Sequence, residues 1–278
     1  MGMPYAEVIG DPISHSKSPL IHKFWLEQAG YEGDYRAVRV ASDELRAYFD
    51  ARRGDEDWRG CNVTIPHKQA VIPFLDELGP LAAEVGAVNT VFRAERGGLG
   101  GGNTDVNGVL DAVNSVEPGA LRTACLIGSG GAAMAAMAAF RLLGVERVLL
   151  NVRDRSKGRA LLERAGLDGR VGAVDDCANV SGAQLIVNAT SLGMNGQPPM
   201  PPSLLSCIEA IEDDRTIVFD MVYAPLDTGL LQAARRRGLR TVDGLKMLVG
   251  QAATAFEAFF GLPAPRAHDA ELRTLLTS

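Results

Sequence analysis

Short runs of uninterrupted apolar residues alternate along this chain with longer stretches whose apolar positions recur every three or four residues. Strands followed by helices produce that alternation, so the fold class is α/β. Residues 5–10 read as the first strand. Ser18 and Pro19 then mark a helix start, serine as the cap and proline at the first helical position, and Gly30 stops the helix. Residues 35–40 and 60–65 read as strands on either side of a helix at 43–53, and Pro66 is expected to open another helix. A strand at 86–93 follows, before Asn103, Thr104 and Asp105 provide a cap and an acidic first turn.

Beyond residue 123 the strands change character. Residues 125–127, 148–152, 185–188 and 217–220 are apolar apart from Asn151, Asn188 and Asp220 at or near their ends, as suits a parallel sheet covered on both faces. A last helix, from about residue 245 to 260 before Gly261, follows this second unit and is expected to pack back on the first, making that unit discontinuous.

Composition narrows the function. Hydrophobic residues at 46% and charged residues at 22% are globular values. A net charge of −6 argues against broad binding to nucleic acids or anionic membranes, which leaves small-molecule chemistry. Four cysteines, Cys61, Cys125, Cys177 and Cys207, are scattered without a CxxC pair, so a reducing cytoplasm is the expected location. The start of the chain carries Glu7 and Asp11 instead of a basic, then apolar, leader, and Ala6 breaks a myristoylation pattern. Residues 123–140 carry no charge, but three glycines interrupt them, and a strand, loop and helix explain them better than a membrane span. His15, His22, His67 and His268 show no metal spacing and read as surface or hydrogen-bonded histidines, so no metal is expected.

The strand ending at Ile127 runs into Gly128, Ser129, Gly130, Gly131 and Ala132, a G-x-G-x-x-A pattern opening an alanine-rich helix. Glycines let a backbone approach a pyrophosphate, and the helix N-terminus offers free N–H groups; a tight turn that binds nothing is the alternative. Asp154, Arg155 and Ser156 follow the next strand, Asp154 lying 24 residues past Gly130, where an acid holds the ribose hydroxyls of NAD and arginine accepts the extra phosphate of NADP. Both residue types are present. Lys68, in the expected first helical turn after Pro66, would have its pKa pushed down by the helix dipole, which suits proton transfer to a carbonyl oxygen; a surface lysine is the plainer reading. Ser16 and Ser18 suit a carboxylate, or one of them a helix cap, and Asp105 alone reads as a capping acid. The run Arg235, Arg236 and Arg237 before Gly238 reads as a solvated helix end.

The order and wording of these segments resemble the shikimate dehydrogenase family across nearly the whole chain. The resemblance rests on residues 10–12 with 15–19, on Asn62 to Lys68, on 86–90, on 103–105, on 127–132, on 188–191, on 220–223 and on 243–253. It implies a substrate-binding domain made of residues 1–104 plus 242–278, a Rossmann-type doubly wound domain at 105–241, and an active site in the cleft. Lys68 and Asp105 would form the catalytic pair, with Lys68 transferring the proton at the substrate 3-oxygen and Asp105 orienting it. Helix position and burial would depress the Lys68 pKa while Asp105 raises it. Ser16 and Ser18 would grip the substrate carboxylate, Thr64, Asn89 and Gln251 would bind ring hydroxyls, and Tyr223 would line the pocket. Residues 128–132, Asp154, Arg155, Ser156, Thr190, Ser191, Gly244 and Met247 would hold the cofactor. The implied reaction is the reversible reduction of 3-dehydroshikimate to shikimate with NADPH, on the route to aromatic amino acids, with a quinate/shikimate enzyme using NAD as the alternative. Two serines favour shikimate. Asp154 stands where NADP-using members carry asparagine, while Arg155 and Ser156 match them, and Gly102 replaces a frequent acid. A small-molecule substrate is the expected partner, and a homodimer the implied assembly.

Overall fold

The computed structural model describes residues 2–278, which divide into two compact units, one running to Thr104 and resuming at Gln251–Ser278, the other Asp105–Gly250. In the first unit the elements are β1 (Tyr5–Gly10), α1 (Ser18–Gln28), β2 (Asp34–Arg39), α2 (Leu45–Arg53), β3 (Trp58–Val63), β4 (Glu77–Leu78), α3 (Pro80–Val85), β5 (Thr90–Arg93) and β6 (Leu99–Gly102). The second holds α4 (Asp105–Asn114), β7 (Thr123–Ile127), α5 (Gly131–Leu142), β8 (Arg147–Asn151), α6 (Arg155–Ala165), β9 (Asp168–Gly172), α7 (Cys177–Ser181), β10 (Leu185–Asn188), α8 (Pro202–Glu209), β11 (Ile217–Asp220), α9 (Gly229–Arg236) and β12 (Arg240–Val242). Helix α10 (Gly244–Phe260) carries the chain back to the first unit, and α11 (Asp269–Thr277) ends it.

The first unit is a mixed sheet in the order β2-β1-β3-β5-β6-β4, with β5 antiparallel to both β3 and β6. One face buries Ile9, Leu45, Phe49, Trp58, Val63 and Val91. An aromatic group packs elsewhere in the unit: His22 stacks flat on Tyr35 at 4.0 Å between ring centres, and Trp25 meets Phe256 edge-on at 5.7 Å. The second unit is wholly parallel, in the order β12-β11-β10-β7-β8-β9. Its first strand, β7, lies in the middle and the chain winds outward from it in both directions, the doubly wound arrangement that leaves a crevice at the carboxyl ends of the strands. Cys125, Ile186, Leu204, Ile208, Val218 and Leu231 form a core on one side of this sheet.

Three local expectations are corrected. Residues 64–71 form successive turns leading to a single 3₁₀ turn at Ile72–Phe74, so Pro66 opens no α-helix and Lys68 lies under no helix dipole. Ser18 is the first residue of α1 and not its cap; the capping position is Lys17, and the Ser18 N–H donates to Ser16 Oγ at 3.3 Å. His22 is neither a surface nor a hydrogen-bonded histidine: it is fully buried, and neither ring nitrogen has a hydrogen-bond partner. Burial pushes its pKa down to about 3. Cys177 and Cys207, 30 residues apart, are joined by a disulfide with 5.2 Å between their Cα atoms.

Candidate active site

In the first unit two of the expected substrate residues, Asn89 and Gln251, hang on a buried polar network. Asn89 is 3% exposed, and its backbone carbonyl accepts from Val63 N at 2.7 Å while its N–H donates to the Gly102 carbonyl at 3.1 Å. Its side-chain oxygen accepts from Thr104 N at 2.7 Å and Thr90 Oγ1 at 3.0 Å, and its Nδ2 donates to Thr104 Oγ1 at 3.1 Å. Thr104 Oγ1 lies 3.4 Å from Gln251 Oε1, which brings the start of the chain's last segment to the same network. Asn62 Nδ2 donates to Thr90 Oγ1 at 3.1 Å, and the Tyr35 hydroxyl donates to Asn62 Oδ1 at 2.6 Å. An amide so held has one orientation, because turning it over would oppose donor to donor inside an apolar surround.

Lys68 reaches this network through the backbone. Val88 N donates to the Lys68 carbonyl at 2.7 Å, and Thr64 N to the Ile9 carbonyl at 2.9 Å, so the turns carrying both side chains are sewn to β1 and to the residue before Asn89. Thr64 and Lys68 are half-buried. Ser16 is half-buried and Ser18 buried; Lys17 between them donates from Nζ to the Leu276 carbonyl at 2.7 Å. The structure thus gathers Asn89 and Gln251 on one network, with Thr64 and Lys68 on the adjoining turns. Asn62, Thr90 and Thr104 do the holding and were not among the expected site residues, although each lies inside a quoted segment. Their signal was a polar residue in an otherwise apolar strand end.

In the second unit Gly128 closes β7 with φ +115°, and a Cβ there would come within 2.8 Å of the Thr190 methyl group and 3.2 Å of the Ala189 carbonyl oxygen. At Gly130 and Gly131 a Cβ would meet nothing within 4 Å, and both are exposed at the N-terminus of α5. The loop therefore has packed ground under its first glycine and open ground over the next two, which is what a backbone that receives a phosphate group needs. Asp154 caps α6, its carboxylate accepting from Ser156 N at 2.9 Å and Lys157 N at 3.2 Å. Arg155 and Ser156 are exposed in the first turn of that helix.

Asn188 is fully buried and donates to Asp220 Oδ1 at 2.8 Å, while its own oxygen accepts from Thr190 N and Oγ1 at 3.0 and 2.7 Å. Asp220 also takes the Thr228 hydroxyl at 2.6 Å and the Val222 N–H at 3.0 Å. Burial raises the Asp220 pKa, and these hydrogen bonds to the carboxylate oppose the rise. The clamp fixes the segment leading to Tyr223. Gly244 is required beside it, since a Cβ would lie 2.3 Å from the Met221 carbonyl oxygen. Met247 is half-buried one turn on, and Ser191 is exposed. Asp105, expected in the catalytic pair, begins α4 directly after Thr104. Among the described residues no group of three or more His, Cys, Asp or Glu could hold a metal ion, and no helix is long and apolar enough to cross a membrane.

Family models match both ends of the chain: the shikimate dehydrogenase substrate binding domain over residues 8–91 and the shikimate 5'-dehydrogenase C-terminal domain over 244–271. The chain is 50% identical over 275 residues to an NADP(+) shikimate dehydrogenase of Sphingopyxis alaskensis, covering 99% of this chain and 97% of that one. It is 41% identical to the corresponding protein of Azorhizobium caulinodans, over 99% and 96% of the two chains. The crystal structure of a shikimate 5-dehydrogenase from Thermus thermophilus in complex with NADP(H) and shikimate superposes with a TM-score of 0.84 at 34% identity, over 98% of this chain and 99% of that one. The buried amide network and the glycine loop thus sit in a chain that belongs to the shikimate dehydrogenase family.

Proposed function

We propose that the protein is an NADP-dependent shikimate dehydrogenase that interconverts 3-dehydroshikimate and shikimate. The observation that carries this reading is the 50% identity, over 99% of the chain, to an NADP(+) shikimate dehydrogenase. In this reading the first unit is the substrate-binding domain and the second the NADP-binding domain. The open ground above Gly130 and Gly131 fits a pyrophosphate, and with Gly128, Ser129 and Ala132 they would cradle it. Arg155 and Ser156, exposed in the first turn of α6, would receive the 2'-phosphate, with Thr190, Ser191, Gly244 and Met247 completing the site. The bound nicotinamide cofactor supplies or accepts the hydride.

The chain's own residues handle the proton and the substrate. Lys68 gives a proton to the 3-oxygen as the ketone becomes an alcohol and takes it back in the reverse direction, and Asp105 orients that ammonium. Ser16 and Ser18 hold the carboxylate, while Thr64, Asn89 and Gln251 hold ring hydroxyls and Tyr223 lines the pocket. Because Asn89 is locked by Thr90 and Thr104, a substrate lacking a hydroxyl leaves a fixed polar group unpaired, which is a strong basis for rejection. Asp154 commits Oδ1 to the α6 cap, and NADP is favoured by Arg155 and Ser156 in the exposed first turn of that helix. The reading extends to a cytoplasmic homodimer. The test is the initial rate with shikimate or quinate and NADP⁺ or NAD⁺ in all four combinations, together with sedimentation for the assembly. Shikimate with NADP⁺ should be preferred; faster turnover of quinate with NAD⁺ would replace the reading.

A further inference from the structure

The Cys177–Cys207 disulfide joins the first residue of α7 to the middle of α8, both in the second unit. Cys177 is exposed and Cys207 buried. The other two cysteines, Cys61 and Cys125, are fully buried. The pair is reinforced by Ser203 Oγ of α8, which donates at 2.7 Å to Asp175 Oδ2 in the turn just before α7. What the pair holds in place matters more than the bond itself. Residues 174–179 are fastened to the end of β8: Asn151 Nδ2 donates to the Val174 and Asp176 carbonyls at 3.2 and 3.3 Å, and Asn179 Nδ2 donates to Asn151 Oδ1 at 2.7 Å. Arg170 closes the group by donating to Asn179 Oδ1. Asn151 is the last residue of β8, and the chain goes directly from it to Asp154, Arg155 and Ser156.

We propose that Cys177 and Cys207 form a reversible thiol–disulfide modification site whose state sets the affinity of the Arg155 loop for NADP. Disulfides that persist in a reducing compartment are uncommon, and those that exchange there have an accessible sulfur; Cys177 supplies it. In the reducing direction a thiolate of a small thiol such as glutathione attacks the Cys177 sulfur. The Cys177–Cys207 bond breaks, a mixed disulfide forms on Cys177, and the electron pair and a proton go to Cys207. A second thiol attacks the mixed disulfide, releasing the Cys177 thiol and one small-molecule disulfide. Closure is the reverse, with that disulfide reduced to two thiols. Closed, the bond fixes the 174–179 segment against β8 and so steadies the loop that follows. Open, that segment is held by its hydrogen bonds alone. The half of the inference that concerns NADP rests on the assignment of Arg155 and Ser156 made above.

The experiment equilibrates the full-length protein, Cys177→Ser and Arg155→Ala across ratios of glutathione to glutathione disulfide. Thiols reactive in the native state are alkylated and counted by intact mass, and the KM values for NADP⁺ and shikimate are measured at each end. The exposed Cys177 thiol should be alkylated on the reducing side and protected on the oxidising side, and Cys177→Ser should abolish that transition. The KM for NADP⁺ should be about fivefold lower when the bond is closed, the low end of coupling between distinct sites, with the KM for shikimate unchanged. Coupling in binding is reciprocal, so saturating NADP⁺ should favour closure by the factor that separates its dissociation constants in the two states. Alkylation of Cys177 at every ratio, or a bond that opens only on unfolding, overturns the modification site. Equal KM values for NADP⁺ in the two states overturn the coupling, provided Arg155→Ala raises that KM. If Arg155→Ala leaves it unchanged, the reading of the loop has failed, and the alkylation series alone decides the bond.

Discussion

The two units solve the problem of presenting polar chemistry in opposite ways. The first fixes side chains: Asn62, Asn89, Thr90 and Thr104 are buried and spend their hydrogen bonds on one another and on strand backbone, so the groups they leave facing outward are aimed before any ligand arrives. The second clears backbone: Gly130 and Gly131 present bare peptide at the start of α5, with the side-chain networks of Asn188 and Asp220 set behind as supports. A multiply hydroxylated ring demands the first solution, because each hydroxyl needs a partner at a fixed angle. A pyrophosphate accepts the second, because a helix N-terminus and its N–H groups favour any anion that fits.

The comparison is broken most severely at Lys68. Lys68→Ala should lower kcat on the order of 10³-fold, the range for loss of a positioned proton-transfer group, while the KM for shikimate stays within a few fold. Steady-state kinetics decide this, and near-normal turnover would remove Lys68 from the chemistry. In the second unit the two kinds of glycine should separate. Gly128→Ala forces a side chain into a positive φ and against Thr190, so it should cost about 2 kcal/mol in urea unfolding. Gly130→Ala meets no neighbour, so it should leave stability alone and raise only the KM for NADP⁺.

A smaller effect sharpens the contrast from the side of the first unit. The pKa of His22 is depressed to about 3 in the folded protein, so below its unfolded value of 6.5 the unfolded chain takes up a proton that the native chain refuses. Stability from this group is complete above that value and is lost as pH falls toward the folded pKa. At pH 5.5 the loss relative to pH 7 should be about 1 kcal/mol in denaturant unfolding, and His22→Phe should remove that part of the slope. Smallest of all, Asp154→Asn should change the ratio of NADP to NAD use by less than about twofold, since asparagine caps a helix as well as aspartate does. A large change in cofactor ratio would show that the carboxylate meets the ribose after all.

Much of this division was legible in the sequence, and the exceptions have physical causes. The buried parallel strands β7, β8, β10 and β11 announce themselves because a strand covered on both faces carries an unbroken apolar run, with polar residues only at its ends: Thr123, Arg147, Asn151, Asn188 and Asp220. Strand β6 is Leu-Gly-Gly-Gly and β9 is Asp-Gly-Arg-Val-Gly, so neither carries the alternation that marks a strand; their neighbours supply the pairing. The expectation of a helix after Pro66 failed because a proline near a helix start is also at home in a turn, and here tertiary bonds from Val88 and Ile9 hold the turns open. The residues proposed for the site are those that were legible as part of a contiguous motif. The lining behind them was not, because a buried threonine that orients an asparagine looks in sequence like any strand threonine. Cys177 and Cys207 were invisible for the same reason: adjacency of α7 and α8 is a property of the crossovers, not of the 30 residues between them.

The bond from Lys17 to the carbonyl of Leu276 links the chain's final helical turn to the serine pair near its beginning. Leu272 and Leu276 anchor that turn in the core, so α11 acts as a doorstop for the segment expected to meet the carboxylate. This corner is therefore built from segments 259 residues apart, and until α11 has docked Ser16 and Ser18 lack one of their props: the motif is there without its setting.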